Sequence, residues 1–216
     1  MGEIAVATPQ DKRRGVTAAN GTTKAAIERA ALLLFAQSGV DAVTTREIAA
    51  AAGVSEGALY RHYQGKEALA GAMFFAIHKR LAAEIRAAAG ESDSLETQAR
   101  AVVAAYCRIA DEDWSLFAYH LLTTHRFLPL PGDTRHDEPD NPVSAVEDII
   151  AGAMQRGELT QGDNVLPAAM ALGVMLQTAL HKVYGRISGD LSPRGDALSN
   201  AVIAVLNSSA AAGAIL

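Results

Sequence analysis

The sequence predicts an all-α protein. Half of its 216 residues are apolar but only 5% are aromatic, and the abundant alanine favours helix over sheet. Runs that alternate β-branched or aromatic residues with polar ones are not found, so no strands are expected. Apolar residues instead recur at helical spacing from Thr22 onward. The chain is long enough for one large or two small domains with a real core.

Two short helices are expected on either side of Gly53. Thr44 and Thr45 can cap a first helix over residues 46–52, and Ser55 can cap a second one over residues 56–63. Gly53 turns the chain between them, because glycine adopts positive φ without strain. Two short helices joined by a glycine-containing turn predict a helix-turn-helix. The outward face of the second helix carries Glu56, Gly57, Tyr60 and Arg61, with His62 beside them. These side chains could contact phosphates and base edges in a major groove.

These residues resemble the TetR family of bacterial transcriptional regulators. The resemblance runs from Thr22 to about Phe75, roughly a quarter of the chain. The matching elements are Thr44-Thr45-Arg46-Glu47-Ile48-Ala49, Gly53-Val54-Ser55, Leu59-Tyr60-Arg61-His62-Tyr63 and Lys66-Glu67-Ala68-Leu69. Tyr63 stands where the family usually has Phe.

The resemblance implies a division of labour among the predicted DNA-binding residues. It implies phosphate contacts for Thr45, Tyr60, His62 and Lys66, and places Arg46, Glu56, Gly57 and Arg61 nearest the bases. Lys66 also opens a helix, where a cation opposes the helix dipole unless an anion such as a DNA phosphate lies nearby. For Tyr60 and His62, simple surface packing is the alternative. With the capping and turn positions, the predicted set is completed by Thr44, Ser55 and Ala58.

The charge of the chain is unevenly distributed. Residues 1–80 hold ten Lys/Arg and seven Asp/Glu, whereas the remainder holds nine and seventeen. This asymmetry assigns DNA to the N-terminal part. Residues 1–21 are predicted to be a flexible basic arm containing Lys12, Arg13 and Arg14. Either a solvated tail or an arm that follows the phosphate backbone or minor groove fits this composition.

The expected domains are the arm, a three-helix DNA-binding domain over residues 22–66, and a larger helical domain over residues 67–216 for effector binding and dimerisation. A helix over residues 66–89 connects the last two. Further helices are predicted over residues 95–110, 114–127 and 163–187, with another beginning after Asn141 and the last at Ser192-Pro193. Residues 129–142 are expected to be a proline-rich loop. The last two helices are apolar over more than one neighbour would cover, so we predict that they form a homodimer interface, with a broader monomer core as the alternative.

A pocket for a small, largely apolar effector is expected in the second domain, since TetR-like regulators hold their effector there. Few charges occur among the candidate residues, and Thr124, Gln177 and His181 would supply polar anchors. Ordinary core packing is the alternative for each residue. The predicted ligand-binding set is Tyr106, Trp114, Phe117, His120, Leu121, Thr124, Val146, Ile150, Met154, Met170, Gly173, Val174, Gln177 and His181.

The sequence therefore favours a homodimeric, cytoplasmic regulator, most simply a repressor that an effector releases from a pseudo-palindromic operator. No catalytic motif, metal-ligand spacing or cofactor fingerprint is recognisable, so we expect neither an enzyme nor a cofactor. A helical enzyme that uses Cys107 or histidines, and a constitutive architectural DNA-binding protein, are the rival classes. No signal peptide or membrane-spanning stretch is expected, and the single Cys107 fits a reducing compartment.

Overall fold

Helices account for all the regular structure in the described part of the chain. The computed structural model describes residues 15–90, 94–128 and 141–212, and within these ranges no strand occurs. The helices are α1 (Thr23–Ser38), α2 (Thr45–Ala52), α3 (Glu56–Tyr60), α4 (Lys66–Ala89), α5 (Leu95–Glu112), α6 (Trp114–Phe127), α7 (Pro142–Gln155), α8 (Val165–Val183) and α9 (Gly195–Ala212), with a 3-10 turn at Ser192–Arg194. The all-α prediction is confirmed. Nearly all of the expected 129–142 loop lies outside the described residues.

The chain divides into two compact units. Unit 1 comprises Met1–Ile77 and Ser115–Leu130, and unit 2 comprises His78–Trp114 and Pro131–Leu216. Helix α4 therefore begins in unit 1 and ends in unit 2 without a break. Unit 1 also includes nearly all of α6, in addition to the three helices of the predicted DNA-binding domain.

Side-chain caps set the ends of the helices that matter for function. The Thr22 hydroxyl accepts a hydrogen bond from the Ala25 amide at the start of α1. Thr44 and Glu47 form a reciprocal capping box at the start of α2, which satisfies two backbone donors that a helix end leaves free. Gly53 has φ 68° and ψ 33° at the end of α2, the left-handed conformation that the turn was predicted to need.

The core of unit 1 joins the three N-terminal helices to α4 and α6. Ile48 and Leu59 are fully buried and hold α2 and α3 against this core. Tyr119 of α6 is also fully buried, where its hydroxyl donates to the Ala70 carbonyl at 2.8 Å. Its ring stacks on Phe35 with centroids 6.0 Å apart. The helix-turn-helix thus packs on a helical base formed by α4 and α6.

Unit 2 is built around α5, α7, α8 and α9, which pack on one another. Ile150 of α7 and Leu191 are fully buried. The Asp111 carboxylate of α5 accepts hydrogen bonds from the Leu191 amide at 2.7 Å and the Ser192 amide at 2.8 Å. It thereby anchors the 3-10 turn that leads into α9.

Several helix boundaries differ from the sequence-based expectation; α5, for example, ends at Glu112 rather than at residue 110. Helix α3 ends at Tyr60 rather than Tyr63, because the His62 amide bonds the Leu59 carbonyl three residues back and tightens the last turn. Helix α8 is Val165–Val183 rather than 163–187, since Gly185 at φ 69° ends it. Helices α4 and α6 have the predicted bounds.

Candidate functional site

The start of α2 and the exposed side of α3 meet in one polar cluster. The Thr45 hydroxyl donates to the Glu56 carboxylate at 2.6 Å and lies 3.4 Å from the Tyr60 hydroxyl. Thr45 is thereby brought to Glu56 and Tyr60, which lie eleven and fifteen positions further along the chain. Thr44 and Ser55 lie at the edge of this cluster, where their side chains cap α2 and α3 respectively.

Most of the remaining predicted DNA-binding residues are exposed beside this cluster. Tyr60 has 52% of its surface exposed, and Arg46, Arg61 and His62 are exposed as well. Gly57 is also exposed, and a Cβ added to it would meet only the Ser55 hydroxyl oxygen, at 4.0 Å. Packing within the chain therefore gives no reason for a glycine at this position.

Ala58 does not belong to the exposed surface. Only 5% of it is exposed, because its place on α3 turns the methyl group towards the core beside Leu59. Its amide donates to the Ser55 hydroxyl at 3.2 Å. The side chain of Ala58 thus faces the core, and the predicted role of this position in DNA binding stays a prediction.

Lys66 has protein partners that the sequence did not indicate. Its ammonium group donates to the Asp41 carbonyl at 2.8 Å and the Val43 carbonyl at 2.9 Å. These carbonyls offset the charge that opposes the dipole of α4, so a DNA phosphate is not needed for that purpose. Lys66 ties the loop between α1 and α2 to the start of α4.

An ion-pair cluster strengthens the same loop. Arg126 near the end of α6 donates to both oxygens of Asp41 at 2.9 Å, and also pairs with Glu67 at 2.9 Å. Hydrogen bonding to Arg126, with its positive charge, holds the pKa of Asp41 below its usual range. The loop before α2 is therefore held by α4 and α6 together.

A buried carboxylate, which sequence reasoning missed, lies behind the helix-turn-helix. Glu28 of α1 is fully buried and accepts a hydrogen bond from the Tyr63 hydroxyl at 2.6 Å. It also accepts from the Val16 amide at 2.6 Å and the Thr17 amide at 2.8 Å, and from the Thr17 hydroxyl. The phenol at position 63, where the family usually has Phe, thus has a specific partner. The only signal in the sequence was a glutamate between Ile27 and the Ala30-Ala31 pair of a buried helical stripe.

These hydrogen bonds keep Glu28 charged. Burial raises the pKa of its carboxyl group, but the hydrogen bonds from Thr17, Tyr63 and Val16 outweigh burial and leave it below the usual value. Burial and the hydrogen bond to Glu28 raise the pKa of Tyr63. The predicted flexible arm is corrected in its last part, because the backbone at residues 16–18 is bound to Glu28. Lys12, Arg13 and Arg14 lie outside the described residues.

Comparison with known families assigns the N-terminal segment. Residues 21–73 match the model described as bacterial regulatory proteins, tetR family. This range contains α1, α2, α3 and the start of α4, with the whole exposed cluster. The resemblance to the TetR family is confirmed. No curated protein sequence matches the chain.

Solved structures of bacterial regulators, some of them described as tetR-family proteins, share the fold over most of the chain. The fatty acid degradation regulator FadR from Bacillus halodurans is 19% identical, with a TM-score of 0.70 over 82% of this chain and 92% of that one. FadR from Bacillus subtilis, solved in complex with stearoyl-CoA, is 23% identical, with a TM-score of 0.68 over 85% and 97%. A tetR-family regulatory protein from Rhodococcus RHA1 is 22% identical, with a TM-score of 0.71 over 87% and 98%. The fold outside the TetR-type domain is therefore also that of TetR-family structures.

The predicted ligand-binding residues fall in both units. Phe117, His120, Leu121 and Thr124 belong to unit 1, where the His120 ring stacks on Phe74 with centroids 4.9 Å apart. The other ten belong to unit 2. There, the Tyr106 hydroxyl donates to the Met175 carbonyl at 3.3 Å, and the Trp114 ring lies 4.7 Å from the Lys182 ammonium group.

The expected polar anchors make hydrogen bonds within their own helices. The Thr124 hydroxyl donates to the His120 carbonyl at 2.9 Å. His181 Nδ1 lies 2.9 Å from the Gln177 carbonyl oxygen, which accepts from it. A ligand would have to compete with these bonds, so the anchoring roles of Thr124, Gln177 and His181 stay predictions.

Helix α8 places three predicted ligand-binding residues on its exposed side. Met170, Gly173 and Gln177 are exposed, and a Cβ added to Gly173 would meet no atom within 4 Å. Val174 is half-buried and Met154 is buried. Within a single chain, the exposed residues of α8 therefore line no enclosed space.

A cavity does occur in unit 2, between α5, α7, α8 and α9. The cavity is open to solvent on one side. All its lining side chains are aliphatic or methionine, including Val103, Ala171 and Leu206. It shares Val146 and Ile150 with the predicted set. Sequence periodicity could not find the rest of the lining, since cavity walls and filled core have the same helical pattern.

Cys107 lies in surroundings that suppress nucleophilic chemistry. The thiol is buried, and burial, with the Asp111 charge as a smaller cause, raises its pKa to about 11. It therefore stays protonated at neutral pH. Among the described residues, no group of His, Cys, Asp and Glu is arranged to hold a metal ion. None of the described helices has the length and hydropathy needed to cross a bilayer.

Proposed function

We propose that this protein is a homodimeric, cytoplasmic transcriptional repressor of the TetR type, which a small, largely apolar effector releases from a pseudo-palindromic operator. The observation that carries the proposal is the exposed surface of α2 and α3. Arg46, Tyr60 and Arg61 flank the Thr45–Glu56 hydrogen bond, on helices that pack on the core of unit 1. This surface offers donors for phosphates and base edges, together with one oriented acceptor for a cytosine amino group.

Gly57 supports the approach of another molecule to α3. Glycine in a helix lowers stability by about 0.5–1 kcal/mol relative to alanine, and the chain has room for a methyl group at this position. A DNA surface pressed against α3 accounts for the missing side chain. The same contact explains why Tyr60 stays exposed, since its hydroxyl lies at the edge of that surface.

A second copy of the chain is proposed to cover the exposed apolar side of α8. Leu166 is 61% exposed and Tyr184 65%, with Met170 and Leu176 between them along the helix. At about 100° per residue, these four positions fall within roughly 120° of the helix circumference, which makes a broad apolar face. Apolar residues aligned in this way favour an isologous interface that includes α9, in which Gly173 permits close approach.

The effector is proposed to act through unit 2, whose cavity is apolar. The Bacillus subtilis FadR structure contains stearoyl-CoA, a ligand with a long hydrocarbon chain, and this supports an apolar effector here. Helix α4 runs from Lys66, which holds the loop before α2, into unit 2. A ligand that prefers one conformation of unit 2 would shift the population through this helix and weaken DNA binding.

Selection and footprinting of DNA by the purified protein tests the proposal. Two half-sites centred about 34 Å apart, or a small multiple of that distance, are expected from a symmetric dimer. Arg46→Ala should cost about 1–3 kcal/mol at one base position in each half-site. Full-affinity binding to a single asymmetric site would contradict the dimeric model.

Gly57→Ala provides a sharper test of the DNA-binding surface. It should raise the stability of the free protein by about 0.5–1 kcal/mol and at the same time weaken operator binding, because the methyl group occupies space needed by DNA. Gly195→Ala is the matched control, since Gly195 is also a helical glycine with room for a Cβ, but in α9. If Gly57→Ala and Gly195→Ala bind the operator with equal affinity, α3 does not lie in the DNA interface.

A further inference from the structure

The unit 2 cavity has the chemistry of a hydrocarbon site. Its walls come from α5, α7, α8 and α9, and small side chains such as Ala99 and Ala171 leave the space between larger ones. No lining side chain can donate or accept a strong hydrogen bond. Water gains little in such a cavity, because a buried water needs two to four polar partners. An apolar molecule is the better occupant.

A polar pocket adjoins the cavity at one end. The two share Leu95 and Leu206, and the second pocket is also lined by Glu96, Glu158 and Asn207. A molecule with its hydrocarbon part in the cavity would therefore present its other end to polar groups. The Asn207 amide offers both a donor and an acceptor.

The groups around the polar pocket disfavour the binding of an anionic end group. The start of α5 is the place where an anion would ordinarily bind, but the chain's own Glu158 accepts from the Leu95 amide there at 2.6 Å. Ser94 accepts from the Thr97 amide in the same turn. The positive end of this helix is thus already occupied by a carboxylate and a hydroxyl.

The nearby arginines are also committed to protein carboxylates. Arg156 pairs with Glu158 at 2.6 Å, and Arg100 pairs with Glu96 at 2.9 Å. Among the described residues that line the polar pocket, none is cationic. A carboxylate or phosphate placed here would lie beside Glu96 and Glu158. The arginines are already paired with these glutamates, so they are not available to balance the charge of the ligand.

From these contacts we propose that unit 2 binds an uncharged amphiphile, with its hydrocarbon part in the apolar cavity and a neutral polar end, such as a hydroxyl, beside Asn207. The proposal rests on the proposed effector-responsive function and specifies the ligand class. It differs from the stearoyl-CoA of the Bacillus subtilis structure in the charge of the end group.

Calorimetric titration of the purified full chain, without DNA, tests the ligand class. The probes are straight-chain primary alcohols of six to twelve carbons, with decanoate and decanoyl-CoA at pH 8 for comparison. The alcohol Kd should fall about fourfold for each added CH2, until the chain fills the cavity and the gain stops. Decanoate and decanoyl-CoA should bind at least tenfold more weakly than decanol. Tighter binding of either anion overturns the proposal.

Variants locate the site. Ala99→Leu fills the cavity from α5 and should abolish decanol binding, whereas Ala104→Leu, on the exposed side of the same helix, should leave it unchanged. Leu206→Ala enlarges the cavity and should move the best chain length upward, so the test survives a poorly folded Ala99→Leu variant. Equal decanol binding by Ala99→Leu and Ala104→Leu, with no change of chain-length preference in Leu206→Ala, places the ligand elsewhere.

Operator binding, measured separately, distinguishes this proposal from the proposed function. Decanol that binds as predicted supports the hydrocarbon site even if the free protein selects no palindromic DNA, an outcome that would overturn the proposed function instead. A protein that selects a palindromic operator but binds none of the alcohols overturns the hydrocarbon site and leaves the regulator in place.

Discussion

The Tyr63 hydroxyl links the end of the helix-turn-helix to the chain that precedes α1. It donates to Glu28 at 2.6 Å, and the same carboxylate holds the backbone of Val16 and Thr17. A single buried charge therefore orders two segments that are far apart in sequence. The family's usual Phe could fill the same space but could not donate this hydrogen bond.

Tyr63→Phe is expected to destabilise unit 1. A hydrogen bond to a charged group contributes about 1.5–3 kcal/mol, and its loss also leaves Glu28 with fewer donors. Denaturant unfolding should show this decrease, whereas Tyr60→Phe, which alters an exposed phenol, should stay within about 0.5 kcal/mol of the wild type. Equal stabilities of the two variants would mean that the Tyr63–Glu28 bond contributes nothing.

Acid should weaken the same contact. The pKa of Glu28 is lower in the folded protein than the ordinary value of 4.5, so its contribution to stability is complete above pH 4.5 and is lost as pH falls through the folded pKa. The stability difference between the wild type and Glu28→Gln should therefore be greatest near neutral pH and shrink below pH 4.5. Chemical denaturation from pH 7 to pH 3 measures it, and a difference that grows on acidification would contradict the assignment.

At the scale of the elements, helix existence and end signals could be predicted from the sequence, whereas side-chain environments could not. The bounds of α4 and α6 follow from periodicity and from Gly90 and Asp113 beside them. Helix α3 is shorter than predicted because Leu59 accepts at i−3 spacing, a choice that periodicity does not encode. The partners of Lys66 come from a loop more than twenty residues away, so no local pattern indicates them.

The candidate site was predictable to different extents in the two units. A motif with fixed spacing located Thr45, Glu56 and Tyr60, and the structure brings them together. The buried role of Ala58 depends on which side of a five-residue helix faces the core, and such a short helix has little periodicity to decide it. In unit 2, small residues such as Ala99 and Ala171 create a cavity only through the larger side chains that other helices place opposite them.

The loop before α2 should depend on the ion pairs that α6 supplies. Arg126→Gln removes both the Asp41 and the Glu67 contacts, so the Val43 amide, which bonds the Val40 carbonyl at 3.4 Å, should exchange its hydrogen faster. High salt should reduce the difference from the wild type, since these groups are partly exposed. The control is Arg100→Gln, which breaks an exposed ion pair in unit 2. If hydrogen exchange at the Val43 amide is unchanged in Arg126→Gln, Lys66 holds the loop alone.

At the scale of the whole molecule, the exposed side of α8 predicts the oligomeric state. Leu176→Glu would remove the burial of the 40% of this side chain that is exposed in the single chain, about 0.6–1.2 kcal/mol in each copy, and should raise the dimer Kd by roughly one to two orders of magnitude. Sedimentation measures this change. The control is Leu122→Glu, which alters a leucine of similar exposure on α6 and should leave the dimer intact. If Leu176→Glu has the same dimer Kd as the wild type, the interface lies elsewhere.

The apolar stripe of α8 also has a consequence for gene dosage. If operator binding requires two chains joined along this stripe, the active species is second order in chain concentration wherever the protein is mostly monomeric. Halving the concentration of the chain would then reduce the concentration of the operator-binding form about fourfold. The strength of packing between Leu166, Leu176 and their counterparts would set the protein level at which this steep response gives way to a linear one.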